Sequence, residues 1–314
     1  MNIGIVGAGA IGSYYAASLQ RAGHVVRLLA RGHHLTAIRE HGLVLRTPGE
    51  EVTVRVTAGT DVSVLDGAEY VLVAVKSYTL RDVADTLALC ARRGATIVPL
   101  LNGVDIAERL ASFGVPRTAM LAGLATISVA RVGPGVVERR TPFDRVIVGE
   151  LDGTISARAS ALADAFVAAG SDARATEHIQ LELWRKFVFL VPMSVACGLS
   201  RAPLGVVFQT AAGRELVSRA IAEIVAVSRA AGTALSDADA SRTLDALRAL
   251  PAAMKPSFLL DLERGGPNET DVLAGAVSRL GRAHGVETPV HEVATLAFSV
   301  AAADETRATR SNIT

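Results

Sequence analysis

Aromatic residues make up only 4% of the 314 residues, and just two cysteines occur, Cys90 and Cys197, with no C-x-x-C. A core so short of rings must be packed by Ala, Val and Leu, which suits helices laid on a parallel sheet. The cysteines lie far apart in apolar surroundings, so buried free thiols in a reducing compartment are expected rather than a disulfide framework. An excess of either charge is missing too. With 32 basic and 31 acidic residues, the chain offers little to a nucleic acid or an anionic membrane surface.

No basic stretch precedes the first apolar run, which is needed as a strand, so no signal peptide is expected. The apolar run at 187–199 is interrupted by Pro192 and Gly198 and is expected to be too short to span a bilayer. A cytoplasmic protein without a membrane partner is the expectation. The seven histidines show no ligand spacing, His33 and His34 being simply adjacent, and no metal site is expected. Neither a nucleophile elbow nor an NTPase phosphate loop appears.

What is present begins at once. Residues 2–6 are a β-branched run fit for a buried central strand, followed directly by Gly7-Ala8-Gly9-Ala10-Ile11-Gly12. A helical pattern to Ala22 and a second strand at 25–29 complete a β-α-β unit. In that setting the glycines read as a dinucleotide fingerprint. Gly7 serves the tight turn, Gly9 the approach of a pyrophosphate, and Gly12 close helix packing. The pyrophosphate then meets a helix N-terminus, where free N–H groups favour an anion. A carboxylate ending the second strand would select NAD, but Leu28-Leu29-Ala30-Arg31 has none. A guanidinium suits a 2′-phosphate, so NADP is expected.

Strand and helix alternate as far as residue 121, predicting an α/β Rossmann-type, doubly wound parallel sheet. Three strands between 126 and 149, punctuated by Gly133-Pro134-Gly135 and Pro142, are expected as an antiparallel extension of that sheet. An alanine-rich helix and a strand near 173–176 follow. Beyond 177 only helical patterns remain, at 178–198, 212–231, 239–249, 256–264, 270–284 and 290–303. The expected division is an NADP-binding domain over 1–176 and an all-α domain for substrate and dimerisation over 177–314.

Lys76 and Asn102 each stand just past a parallel strand, at the edge where open α/β sheets bind ligands, although Asn-Gly is also a common turn. Lys186 adjoins the apolar run 187–190, and burial lowers an amine's pKa in a way that suits a general acid. On spacing alone, Glu182 and Lys186 are also an ordinary i,i+4 surface pair. Ser257, Asn268, Glu269 and Asp271 stand near helix starts, and simple N-capping accounts for Asn268 and Asp271.

Together, Gly7 to Gly12, Arg31, Val75-Lys76, Asn102-Gly103, Leu183-Trp184-Arg185-Lys186, Ser257 and Glu269-x-Asp271 resemble the ketopantoate reductases along nearly the whole chain. The resemblance implies NADPH-dependent reduction of a 2-oxo acid, 2-dehydropantoate, to (R)-pantoate. It implies that Lys186 protonates the carbonyl oxygen and that Glu269 orients Lys186 or the nicotinamide ribose. Asn102 would help hold substrate and nicotinamide, and Ser257 would bind the substrate end. Gly7, Ala8, Gly9, Ala10, Ile11 and Gly12 would cradle the cofactor, with Arg31, Lys76 and the backbone at Ala130 beside it. The oligomeric state stays open, a homodimer among the options.

The chain also departs from its relatives. Asparagines of the family pattern, four and eight residues after the lysine and at a third position, are here Leu190, Ser194 and Leu204. Leucine cannot replace an amide's directional hydrogen bonds to a polar hydroxy acid. If Leu190 and Ser194 face the substrate, a more apolar 2-oxo acid or ketone is the alternative. A rival of another class is a non-catalytic NADP-sensing protein, since fold does not fix function. Retention of both Lys186 and Glu269 argues for the enzyme.

Overall fold

The computed structural model describes residues 1–233 and 235–311, with side chains described as far as Ala303. Contacts divide the chain into two compact units, Met1–Leu101 with Ile106–Ile179, and Asn102–Asp105 with Gln180–Thr314.

The first unit opens with β1 (Asn2–Val6), α1 (Ala10–Arg21), β2 (Val25–Leu29) and α2 (Gly32–His41). A hairpin of β3 (Leu43–Thr47) and β4 (Glu50–Val54) precedes β5 (Thr57–Gly59), β6 (Tyr70–Val73), α3 (Leu80–Arg92) and β7 (Thr96–Pro99). The strand order β5-β2-β1-β6-β7 is parallel throughout. β1 is buried because it is central, which is why Ile3 and Ile5 can be apolar in a run.

After α4 (Ile106–Ser112) come β8 (Leu121–Thr126), β9 (Val129–Gly133), β10 (Val136–Arg139), β11 (Arg145–Glu150), α5 (Ala157–Ala168) and β12 (Asp172–Ala175). The expected antiparallel extension is only half correct. β11 lies antiparallel to β8 and parallel to β12, and one bridge, Ile97 to Met120, joins this group to β7. β9 and β10 leave it for a separate sheet of order β4-β3-β10-β9. The Gly133-Pro134-Gly135 turn joins the two, with Gly135 at φ +72° and its carbonyl accepting from Val44 N–H at 2.8 Å.

α1 is held from below by a buried carboxylate. Asp144 accepts hydroxyl hydrogen bonds from Tyr14 at 2.9 Å, Tyr15 at 2.8 Å and Ser171 at 2.7 Å. A charge out of water needs donors of this number, and here two of them belong to α1. The Tyr15 ring then packs edge-on against Phe166 of α5, centroids 5.1 Å apart.

The second unit is helical, with α6 (Ile179–Ser200), α7 (Leu204–Gln209), α8 (Ala211–Ala230), α9 (Asp237–Arg248), α10 (Ser257–Arg264), α11 (Ala274–His284) and α12 (Pro289–Ser311). The short α7 is absent from the sequence pattern. α6 runs through Pro192 and Gly198 for 22 residues, close to the helical pattern expected at 178–198, and contrary to the expectation for 187–199 its length and composition could cross a membrane. Most of it is buried in this unit. Pro192 costs the helix one hydrogen bond to the Val188 carbonyl, and packing outweighs that loss. Gly198 is needed because a Cβ there would stand 2.7 Å from the Phe298 ring of α12. Arg185 ties α6 to α9, donating to Asp239 at 3.1 Å, where Asp239 also completes the capping box with Ser236. Glu223 of α8 caps α12 through Val290 N–H and pairs with the fully buried His291 ring at 2.6 Å.

Candidate active site

The turn after β1 separates two kinds of constraint. Gly7 has φ +109°, and a Cβ on it would lie 2.8 Å from the Ala74 carbonyl, so only glycine serves. A Cβ on Gly12 would stand 1.9 Å from Gly7 O. Gly9 is different. A Cβ there would meet Ala74 O at 3.7 Å, an ordinary contact, so the chain itself does not demand glycine. Gly9 is the N-cap of α1, with no side-chain cap and no acid in the first turn, which suits a pyrophosphate. Ala10 and Ile11 begin the helix, and Ala8 and Ile11 pack on the core.

Arg31 stands exposed just past β2, at the N-cap of α2. The start of α2 is pinned by His34, which reads in the sequence only as half of an adjacent pair. Its Nδ1 accepts from Gly135 N–H at 2.8 Å, so Nε2 carries the proton toward Ser13 Oγ at 3.0 Å. Burial, with Arg131 nearby, lowers its pKa to about 4 and keeps the ring neutral. Lys76 follows β6 as an exposed N-cap of a 3-10 turn, its carbonyl accepting from Thr79. Ala130 lies in β9, opposite Glu138, and β9 packs against α1. Gly7 to Gly12, Arg31, Lys76 and Ala130 all belong to the first unit, whereas Asn102 does not.

Asn102 groups with the second unit. Its Nδ2 donates to Glu269 Oε2 at 3.4 Å, although 167 residues separate them. Glu269 is buried, at the N-cap of the 3-10 turn Thr270–Val272. Lys186 of α6 is only partly exposed. Desolvation lowers its pKa from the usual 10.5 to about 8, and the Glu269 carboxylate opposes that fall. Glu182, which spacing alone would pair with Lys186, forms an ion pair with Arg185 at 3.1 Å. A lysine, a carboxylate and an amide are therefore gathered from three distant segments. Such a set can deliver a proton and hold the group that delivers it.

The remaining candidates fare unequally. Ser257 is exposed and is the first residue of α10, where Pro256 occupies the cap position. Ser194 is 1% exposed, and its hydroxyl donates to Leu190 O at 2.8 Å. Leu190 is half-buried, whereas Leu204 is core at the head of α7. Neither Asn268 nor Asp271 is a helix cap as expected: Asn268 accepts from Thr270 N–H in a local turn before the Glu269 N-cap, and Asp271 pairs with Arg279. Arg279 and Asp105 carried no motif signal. Both cysteines are buried and free, and burial raises the Cys197 thiol to about 12. Among the described residues, no cluster of His, Cys, Asp and Glu could hold a metal ion.

Comparison with known proteins bears on both units. Residues 3–153 match the family described as ketopantoate reductase PanE/ApbA, and residues 178–300 match its C-terminal counterpart. A 2-dehydropantoate 2-reductase of Halobacterium salinarum is 32% identical over 294 residues, covering 92% of this chain and 95% of that protein. Another, from Mesorhizobium japonicum, is 30% identical over 309 residues, with coverages of 92% and 94%. The crystal structure of a PanE/ApbA family ketopantoate reductase from Ralstonia eutropha superposes with a TM-score of 0.89 at 28% identity, over 98% of this chain and 100% of that one. On these matches the chain belongs to the ketopantoate reductase family of NADP-dependent oxidoreductases.

Proposed function

We propose that this protein reduces a 2-oxo acid to a 2-hydroxy acid with NADPH, and that Lys186 is its general acid. The observation that carries this reading is the partly buried Lys186 amine beside Glu269, itself hydrogen-bonded to Asn102. NADPH, when bound, supplies the hydride. Reduction leaves negative charge on the former carbonyl oxygen, and the Lys186 ammonium stabilises it and gives it a proton, completing the hydroxyl. Glu269 keeps Lys186 charged and oriented, and Asn102 holds Glu269 and the reacting end of the substrate. Gly7, Gly9, Gly12, Arg31, Lys76 and Ala130 bind the dinucleotide, with Arg31 on the 2′-phosphate. Ser257 is the further substrate contact.

The named relatives make 2-dehydropantoate the first substrate to try. One observation favours a second reading within the same chemistry. Positions 186, 190 and 194 share a face of α6. Leu190 has no polar atom to offer, and the Ser194 proton is already spent on Leu190 O. A substrate hydroxyl lying along that face goes without a donor, so a 2-oxo acid with an apolar tail suits it better. The test is an NADPH-oxidation screen of 2-oxo acids that includes ketopantoate and 2-oxoisovalerate, run on the parent and on Lys186→Met. Activity in neither protein on any acid would overturn the reading, and equal activity in both would remove Lys186 from the chemistry.

A further inference from the structure

We propose that Arg279 is a positioning residue, a two-armed clamp that sets the Asn102–Glu269 pair by holding the two segments that carry it. From α11 its Nη2 donates to Asp105 Oδ2 at 2.6 Å and its Nη1 to Asp271 Oδ1 at 3.1 Å. Asp105 lies three residues after Asn102, and Asp271 two residues after Glu269. One guanidinium therefore spans both partners of the hydrogen bond at a single remove. The Asp105 side chain is 12% exposed and makes the stiffer arm, while that of Asp271 is 69% exposed and its arm is weaker.

The pair it holds has little slack. At 3.4 Å the Asn102–Glu269 hydrogen bond is long, and a slip of a few tenths of an ångström ends it. Glu269 would then lose the Asn102 amide, one of the contacts that set its carboxylate near Lys186. The planar fork matters here because it fixes the angle between two carboxylates, which the point charge of a lysine cannot do. The inference rests on the proposal that Lys186 and Glu269 carry the chemistry.

Arg279→Lys keeps the charge and removes the fork, at a side chain already 40% exposed. With NADPH and the best 2-oxo acid, kcat should fall about fivefold or more while KM for NADPH stays within about twofold. In an Asn102→Ala background the same substitution should change kcat by less than about twofold, because no pair is left to set. Asp105→Asn, of the same size, should reproduce the fall in kcat. A second measurement needs no turnover. The chain has three lysines, Lys76, Lys186 and Lys255, so acetylation of Lys186 by acetic anhydride can be followed peptide by peptide against pH. Its half-maximal pH should be lower in Arg279→Lys than in the parent. A merely structural ion pair would lower the melting temperature, leave kcat and the labelling midpoint at parent values, and add independently to Asn102→Ala, which would overturn the proposal. If the parent reduces no 2-oxo acid but the midpoint still falls, the clamp stands and the catalytic reading fails.

Discussion

Glu269→Gln isolates the one charge that works against the burial of Lys186. In the parent the amine titrates at about 8, so at pH 7 about nine-tenths of it carries the proton and at pH 9 about a tenth. A general acid must be protonated to act. The rate at saturating NADPH should therefore be level below about pH 7 and fall about tenfold per pH unit well above 8. Glutamine keeps the shape of Glu269 and its contact with Asn102 but withdraws the negative charge. Removing an opposite charge this close moves a pKa by about one or more, so the alkaline limb should shift to about pH 7 or below. At pH 6 the variant should then run close to the parent, and at pH 8 about fivefold slower. The assay is kcat/KM for one 2-oxo acid from pH 5.5 to 10 in both proteins. A parent profile flat to pH 10, or a limb that stays put or rises in Glu269→Gln, would refute the reasoning.

Arg31→Ala should weaken NADPH by about 1.5–3 kcal/mol and leave NADH unchanged, as measured by fluorescence titration. Leu190→Asn restores a donor on the Lys186 face, and should raise the kcat/KM of ketopantoate relative to 2-oxoisovalerate by about 1–3 kcal/mol of discrimination; a strong ketopantoate preference in the parent would contradict the apolar subsite. Tyr15→Phe keeps the ring against Phe166 but takes one of three donors from the buried Asp144, so urea unfolding should show a loss of about 1–3 kcal/mol.

Local features were the readable ones. The β1–α1–β2 unit was plain because its glycines, β-branched strand and helical pattern all fall within thirty residues, where propensity and spacing agree. Lys186 and Asn102 could be named from their places, beside an apolar run and past a parallel strand, but their roles, like that of Glu269, were legible only through the family resemblance. What joins them could not be named. Arg279 and Asp105 are the commonest sort of residue on a charged surface, and only the fold brings them 174 positions together. The same limit hid the departure of β9 and β10, because strand partners are chosen by long-range pairing that leaves no mark on either strand alone. Ser194 shows a subtler failure. Its face on the helix follows from counting, but whether its proton is free or spent on Leu190 O depends on a rotamer.

The contrast between Gly9 and its two neighbours reaches beyond binding. A library of substitutions in this loop, sorted once for cellular abundance and once for growth dependent on the enzyme, should split along it. Gly7 and Gly12 variants should disappear from both selections, since the chain has no room for a side chain at either place. Small replacements at Gly9 should survive the first selection and vanish from the second. Such a variant would be a folded protein blind to its nucleotide, and would show how the rest of the chain behaves when that ligand never arrives.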